Sequence, residues 1–98
     1  MADESDEITT LRLRIEGSVQ GVGYREFVMS SARELAVDGW VRNRSDGTVE
    51  ALVSADNAVV EKLVGLCMKG PPGARVANVE LHKADPPPEK GFRRRPTL

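Results

Sequence analysis

The sequence holds little of what conventional nucleophilic or metal chemistry needs. Its 98 residues include one cysteine, Cys67, and one histidine, His82. A single cysteine cannot close an internal disulfide, which excludes a scaffold stapled by cystines and fits a reducing cytoplasm. One His and one Cys cannot complete a zinc set, and the acids are scattered, so no metal is expected. Cys67 falls on the apolar stripe of a predicted helix and reads as a small core residue. His82 lies on a predicted strand and reads as an exposed side chain. Long apolar runs are absent too: none approaches the ~20 residues needed to cross a bilayer. The N-terminus, with Asp3, Glu4, Asp6 and Glu7, is unlike a signal peptide. A soluble cytoplasmic protein with no membrane contact is the expectation.

Aromatic residues are scarce as well, with two Phe, one Tyr and one Trp. An RNA-binding sheet would present adjacent aromatics for base stacking, so this composition argues against one. The formal net charge of −1 argues in the same direction, since a dedicated nucleic-acid binder carries a basic face. That near-neutral sum hides an asymmetry. The acidic start has no basic partner, whereas Lys90, Arg93, Arg94 and Arg95 near the end face only Glu89.

What is present describes one ordinary core. A hydrophobic content of 40% and a charged content of 30% are typical of globular chains, and the length suits one domain. Residues 1–9 are expected to form a flexible acidic tail and residues 10–98 a single domain. Leu11-Arg12-Leu13-Arg14-Ile15-Glu16 alternates apolar and charged, the period of a half-buried strand. Tyr24, Phe27, Val28, Ala32, Leu35 and Ala36 recur at helical spacing, predicting a first helix from Tyr24 to about Ala36. Asp38-Gly39 then reads as a turn, Trp40 to Asn43 as a second strand, and Ser45-Asp46-Gly47 as a hairpin turn. Thr48 to Ser54 predicts a third strand. Asp56 suits the N-cap of a second helix bearing Val59, Val60, Leu63, Val64 and Cys67. Gly70-Pro71-Pro72-Gly73 ends that helix, and Val76 to His82 predicts a fourth strand with Val79 and Leu81 inward. Asp85-Pro86-Pro87-Pro88 reads as an extended linker, followed by a short edge strand at Gly91 to Arg94.

Strand, helix, strand, strand, helix, strand is the split βαβ order of an α+β, ferredoxin-like sandwich. An antiparallel sheet of four strands, with the short C-terminal strand at its edge, is expected to carry two helices on one face. No large apolar run demands assembly, so a monomer is expected.

Three glycines punctuate the passage from the first strand to the first helix: Gly17-Ser18-Val19-Gln20-Gly21-Val22-Gly23-Tyr24-Arg25. A Gly-rich turn entering a helix leaves several backbone N–H groups unpaired, which favours an anion. Arg25 in the first turn adds an always-charged fork for phosphate or carboxylate oxygens. Two readings fit this spacing, a phosphate cradle or a Gly-rich cap whose Arg faces solvent. Asn43, just ahead of Ser45-Asp46-Gly47, reads by spacing alone as a turn residue.

The run from Gly17 to Arg25 resembles the signature loop of the acylphosphatase family. Gly39-Trp40-Val41-Arg42-Asn43, followed by Asp46-Gly47-Thr48-Val49-Glu50, resembles its second block at matching separation. The resemblance implies the same ferredoxin-like fold and hydrolysis of acyl phosphates without metal or cofactor. It implies that Arg25 binds the phosphoryl oxygens and that Asn43 orients the attacking water. Ser18, Val19, Gln20, Gly21, Val22 and Gly23 match the phosphate cradle, with Gln20 and Val22 expected to act through main chain and loop shape. Gly21 is expected to permit a positive φ or a close approach. Trp40 is expected to pack beneath the second strand. Inorganic phosphate is the implied product and competitive inhibitor.

The chemistry agrees with this scarcity of catalytic groups. A mixed carboxylic–phosphoric anhydride already has a good leaving group, because a carboxylate departs without protonation at neutral pH. A phosphate monoester asks for more, such as a general acid, metal ions or a covalent nucleophile. Rival readings are a non-catalytic phosphate- or acyl-phosphate-binding module on the same fold and a carbamoyl-phosphate-processing domain of a larger enzyme; a chain ending at Leu98 is expected to leave no room for the partner domains of the second. One departure from the family pattern stands at the end, where Arg93-Arg94-Arg95 follows Phe92. Arg94 occupies a position expected to point inward, so a short strand with Arg94 snorkelling outward is expected.

Overall fold

The alternation in Leu11–Glu16 builds the central strand of the sheet in the computed structural model, which describes residues 7–98. Strand β1 (Ile8–Ser18) buries Leu13 and Ile15 completely on one face and turns Arg12 and Arg14 to the other. It is longer than its alternating segment. Ile8 and Thr9, expected in the tail, pair with Asp56 and Ala55, and the Asn57 N–H donates to the Glu7 carbonyl at 2.9 Å. A long-range partner supplies these backbone bonds, and local composition carries no trace of it. The remainder of the expected tail, residues 1–6, lies outside the described residues.

Helix α1 (Tyr24–Glu34) buries Tyr24, Val28 and Ala32, one residue per turn on one stripe. It stops two residues short of the expected Ala36. Ala36 instead adopts a left-handed φ of 58°. Its N–H donates to Arg33 O at 3.2 Å, and the Val37 N–H donates to Ala32 O at 2.8 Å. This pair of bonds is a Schellman closure, built here without the usual glycine.

Strand β2 (Asp38–Asn43) follows at once. Asp38-Gly39, expected as a turn, is the start of this strand, because Ala36 has already reversed the chain and Gly39 pairs with Val53. Only glycine fits there: a Cβ on Gly39 would overlap the Leu52 carbonyl oxygen. Strand β3 (Val49–Asp56) completes the hairpin, and helix α2 (Asn57–Lys69) buries Val60, Leu63, Val64 and Cys67. Asp56 occupies the N-cap position as expected, but its side chain makes no capping hydrogen bond. Strands β4 (Arg75–Lys83) and β5 (Phe92–Arg94) complete the chain.

The sheet order is β4-β1-β3-β2-β5. Its pairings are antiparallel except the last, where β5 runs parallel to β2 with Gly39 opposite Phe92 and Val41 opposite Arg94. The four expected strands form the antiparallel sheet, and the short edge strand β5 makes it mixed, because the return through the Pro-rich segment brings the chain back in the direction of β2. Both helices pack on one face over Leu13, Ile15, Val41, Val49, Ala51 and Val53. The Tyr24 hydroxyl donates to the Cys67 carbonyl at 2.7 Å and so joins α1 to α2. Leu81, expected inward with Val79, stays 46% exposed on the edge strand β4.

The other face is polar. Glu50, only 4% exposed, accepts from Arg42 Nε at 2.8 Å and Arg44 Nη1 at 3.0 Å. Burial works to raise the Glu50 carboxyl pKa, and the two guanidiniums outweigh it, leaving the pKa below its ordinary value. Trp40 lies half-buried on this same face, with the Arg42 and Arg95 guanidiniums 4.7 and 5.1 Å from its ring centroid.

Candidate active site

The loop between β1 and α1 is held by its side chains and offers its backbone. Val19 is fully buried in the core, and Val22 packs against that core half-buried. The Gln20 amide donates to the carbonyls of Arg44 at 2.8 Å and Thr48 at 2.9 Å, which ties the loop to the β2–β3 turn. Gly21 and Gly23 both take φ 76°, a left-handed conformation that bends the loop into the first turn of α1. Gly23 is the helix N-cap and bears no capping side chain. The N–H groups of residues 20–23 find no acceptor among the described residues. These are the unpaired donors that a helix start turns toward an anion.

Arg25 stands in the first turn of α1 and is half-buried. Among the described residues it forms no ion pair, so Glu26 next to it does not neutralise it. Asn43 is the last residue of β2. Its carbonyl oxygen Oδ1 is buried without a hydrogen-bond partner, alone in this respect among the buried side-chain atoms of the described residues. A buried amide oxygen left unpaired costs on the order of 1–3 kcal/mol, so such an atom calls for an absent donor.

The β2–β3 turn fixes the position of Asn43. Arg44 N–H donates to Thr48 O at 2.9 Å, and Asp46 Oδ1 accepts from Thr48 Oγ1 at 2.6 Å and Thr48 N at 3.0 Å. These two bonds, from the hydroxyl first and the backbone second, hold the Asp46 carboxyl down to about 2.

Arg25 and Asn43 meet in a cleft of about 80 Å³ lined also by Val19, Gly21, Gly23, Tyr24, Glu26 and Arg94. Of the residues named from the sequence, Val19, Gly21, Gly23, Arg25 and Asn43 line it. Ser18, Gln20 and Val22 do not: Ser18 pairs with Arg75 in the sheet, and the other two serve as anchors. A drug-sized ligand needs several hundred Å³, so this cleft accepts one small polyatomic group and leaves the rest of a ligand outside. Arg94 also lines the cleft, a placement not among the sequence expectations. Its spacing of two from Phe92 puts both on the helix-covered face, a signal readable only once the register of β5 on β2 is known.

Neither alternative nucleophile has moved toward this cleft. Cys67 is completely buried, and burial pushes its thiol up to about 12, so it stays protonated. His82 is exposed on β4 beside Glu80 Oε1 at 3.3 Å. No group of three or more His, Cys, Asp or Glu side chains that could hold a metal ion occurs among the described residues. No helix there is long and apolar enough to cross a membrane.

Comparison with known proteins supplies the family. The family model for acylphosphatase matches residues 11–94. An acylphosphatase of Acidiphilium cryptum is 51% identical over 87% of this chain and 93% of its own length. One from an Acidovorax species is 48% identical over the whole of both chains. The solved structure of an acylphosphatase from Coxiella burnetii superposes with a TM-score of 0.86 at 34% identity, covering 97% of this chain and 100% of that one. With its family model matched over residues 11–94 and relatives about half identical along nearly the whole of both chains, the chain belongs to the acylphosphatase family.

Proposed function

We propose that this protein hydrolyses acyl phosphates in the cleft between the β1–α1 loop and the end of β2, giving a carboxylate and inorganic phosphate. The observation that carries the roles is the Asn43 amide: the residue lines the cleft together with Arg25, and its Oδ1 is buried with no hydrogen-bond partner among the described residues. An acceptor without a donor suits a water molecule, and a water held there lies beside the anion that Arg25 would bind. The loop N–H groups and the Arg25 fork hold the phosphoryl oxygens and stabilise the charge that spreads over them in the transition state. Asn43 accepts from the attacking water and orients it for in-line displacement. The departing carboxylate, with a conjugate acid pKa of about 4, needs no proton from the protein. That matches a cleft whose lining contains no histidine or cysteine.

The small volume ties recognition to the phosphoryl end and leaves the acyl group outside. Inorganic phosphate, the product, competes for the same donors. The protein works as a cytoplasmic monomer on small acyl phosphates, in keeping with its lone buried thiol. A binding module without catalysis would have no need for the orphaned amide, so that feature favours the enzyme. The test is phosphate release from benzoyl phosphate compared with a phosphate monoester, with a chelator present. Rapid release from the anhydride alone, unaffected by the chelator, is the expected result. Preference for the monoester, or loss of activity with the chelator, would overturn the reading.

A further inference from the structure

Three consecutive arginines, Arg93 and Arg94 in β5 and Arg95 just after it, have different fates. Arg93 donates to Glu89 Oε1 at 2.6 Å, and Arg95 stacks on Trp40 on the polar face. Arg94, between them, has no ion pair or side-chain hydrogen bond among the described residues, and it lines the cleft with Arg25 and Asn43. The expected outward snorkelling is therefore half right: the side chain is exposed, but it reaches solvent through the cleft. Backbone bonds fix its place. Val41 lies opposite Arg94, the Arg95 N–H donates to Val41 O at 2.9 Å, and the Leu98 N–H donates to Asn43 O at 3.1 Å. Strand β5 thus runs alongside the segment that ends in Asn43, and its alternation sets Phe92 in the core and Arg94 on the same face.

We infer that Arg94 is a second substrate-binding guanidinium, which shares the bound phosphoryl anion with Arg25. Charge supports this assignment. The cleft lining contains one carboxylate, Glu26, against two guanidiniums. With Arg25 alone the lining would sum to zero; Arg94 makes it net positive, which a dianionic ligand requires. The inference rests on the proposed site but concerns a residue that the hydrolysis chemistry does not itself demand.

The test is calorimetric titration of the whole folded protein with inorganic phosphate, beside benzoyl phosphate kinetics, for wild type, Arg94→Ala, Arg94→Lys and Arg93→Ala. A lost charge-assisted contact at a partly exposed site corresponds to about a tenfold change in affinity. Arg94→Ala is expected to weaken phosphate binding by that factor and to raise KM more than it lowers kcat, with an unchanged melting temperature. Arg94→Lys recovers part of the affinity, and Arg93→Ala binds as wild type does. Wild-type affinity in Arg94→Ala overturns the inference and leaves the site reading intact. An equal loss in Arg93→Ala also overturns it, since the effect would then be general surface charge. If the wild type itself binds no phosphate, the site reading fails first.

Discussion

At the scale of single residues, Arg25 and Asn43 divide the proposed work between binding and chemistry, and kinetics can separate the two. In the proposed mechanism Arg25 is a fixed charge beside the loop N–H groups, and its interaction grows with the charge developing on the phosphoryl oxygens. Arg25→Gln is expected to lower kcat/KM on the order of a thousandfold and to abolish inhibition by phosphate. In the proposed mechanism Asn43 offers one acceptor to one water. Asn43→Ala is expected to lower kcat about a hundredfold or more while phosphate still inhibits. Steady-state kinetics with benzoyl phosphate and added inorganic phosphate measure both. Retained inhibition in Arg25→Gln, or lost inhibition in Asn43→Ala, would exchange or remove these roles. Both residues are legible in the sequence through the two blocks that contain them. The orphaned state of the Asn43 oxygen is not, because it depends on what fails to approach it in space.

At the scale of elements, the connections that shape the site depend on local conformations that sequence periodicity does not report. Helical spacing in α1 runs on through Leu35 and Ala36, yet the helix stops where Ala36 turns left-handed and Val37 bonds back to Ala32. An L-residue in that conformation costs roughly 1–2 kcal/mol, and a glycine there avoids it at some cost in chain entropy. Ala36→Gly is therefore expected to stabilise the fold by about 1 kcal/mol, read as a rise in the urea midpoint with an unchanged m-value. A lowered midpoint would show that the Ala36 methyl makes contacts worth more than the strain. The same helix end explains the misplaced turn, since reversal at Ala36 frees Asp38 and Gly39 to begin β2. Gly39 then supplies the close approach to Leu52 that no other residue allows.

At the scale of the whole molecule, the sheet carries apolar packing on one face and a network of charges on the other. That division sets how stability responds to acid. Asp46 is held down to about 2 by its two bonds from Thr48, and Glu50 is held below its ordinary value despite burial. Both carboxyls have folded-state pKa values depressed below those of an unfolded chain, which lie at about 4. Their stabilisation is complete above that value and is lost as pH falls toward the folded pKa. Melting temperatures are expected to be flat above about pH 5 and to fall steeply between about pH 4 and 2. In Asp46→Asn the lower half of that fall becomes shallower; an identical profile in this variant would show that the Thr48 contacts do not set the acid response.

The sequence by itself determined what local patterning can determine. Alternation placed β1, helical spacing placed α1 and α2, and the glycines between Gly17 and Gly23 marked the loop that feeds Arg25. The scarcity of cysteine, histidine and aromatic residues was enough to narrow the chemistry. Only the tertiary structure decided which distant segments lie side by side. It drew Ile8 and Thr9 into the sheet opposite β3, turned Gln20 into a tie on the β2–β3 turn, and ran β5 parallel to β2 so that Arg94 faces the cleft. These outcomes follow from backbone pairing across tens of residues. Strand register depends on both partners together, so neither segment's own sequence contains it.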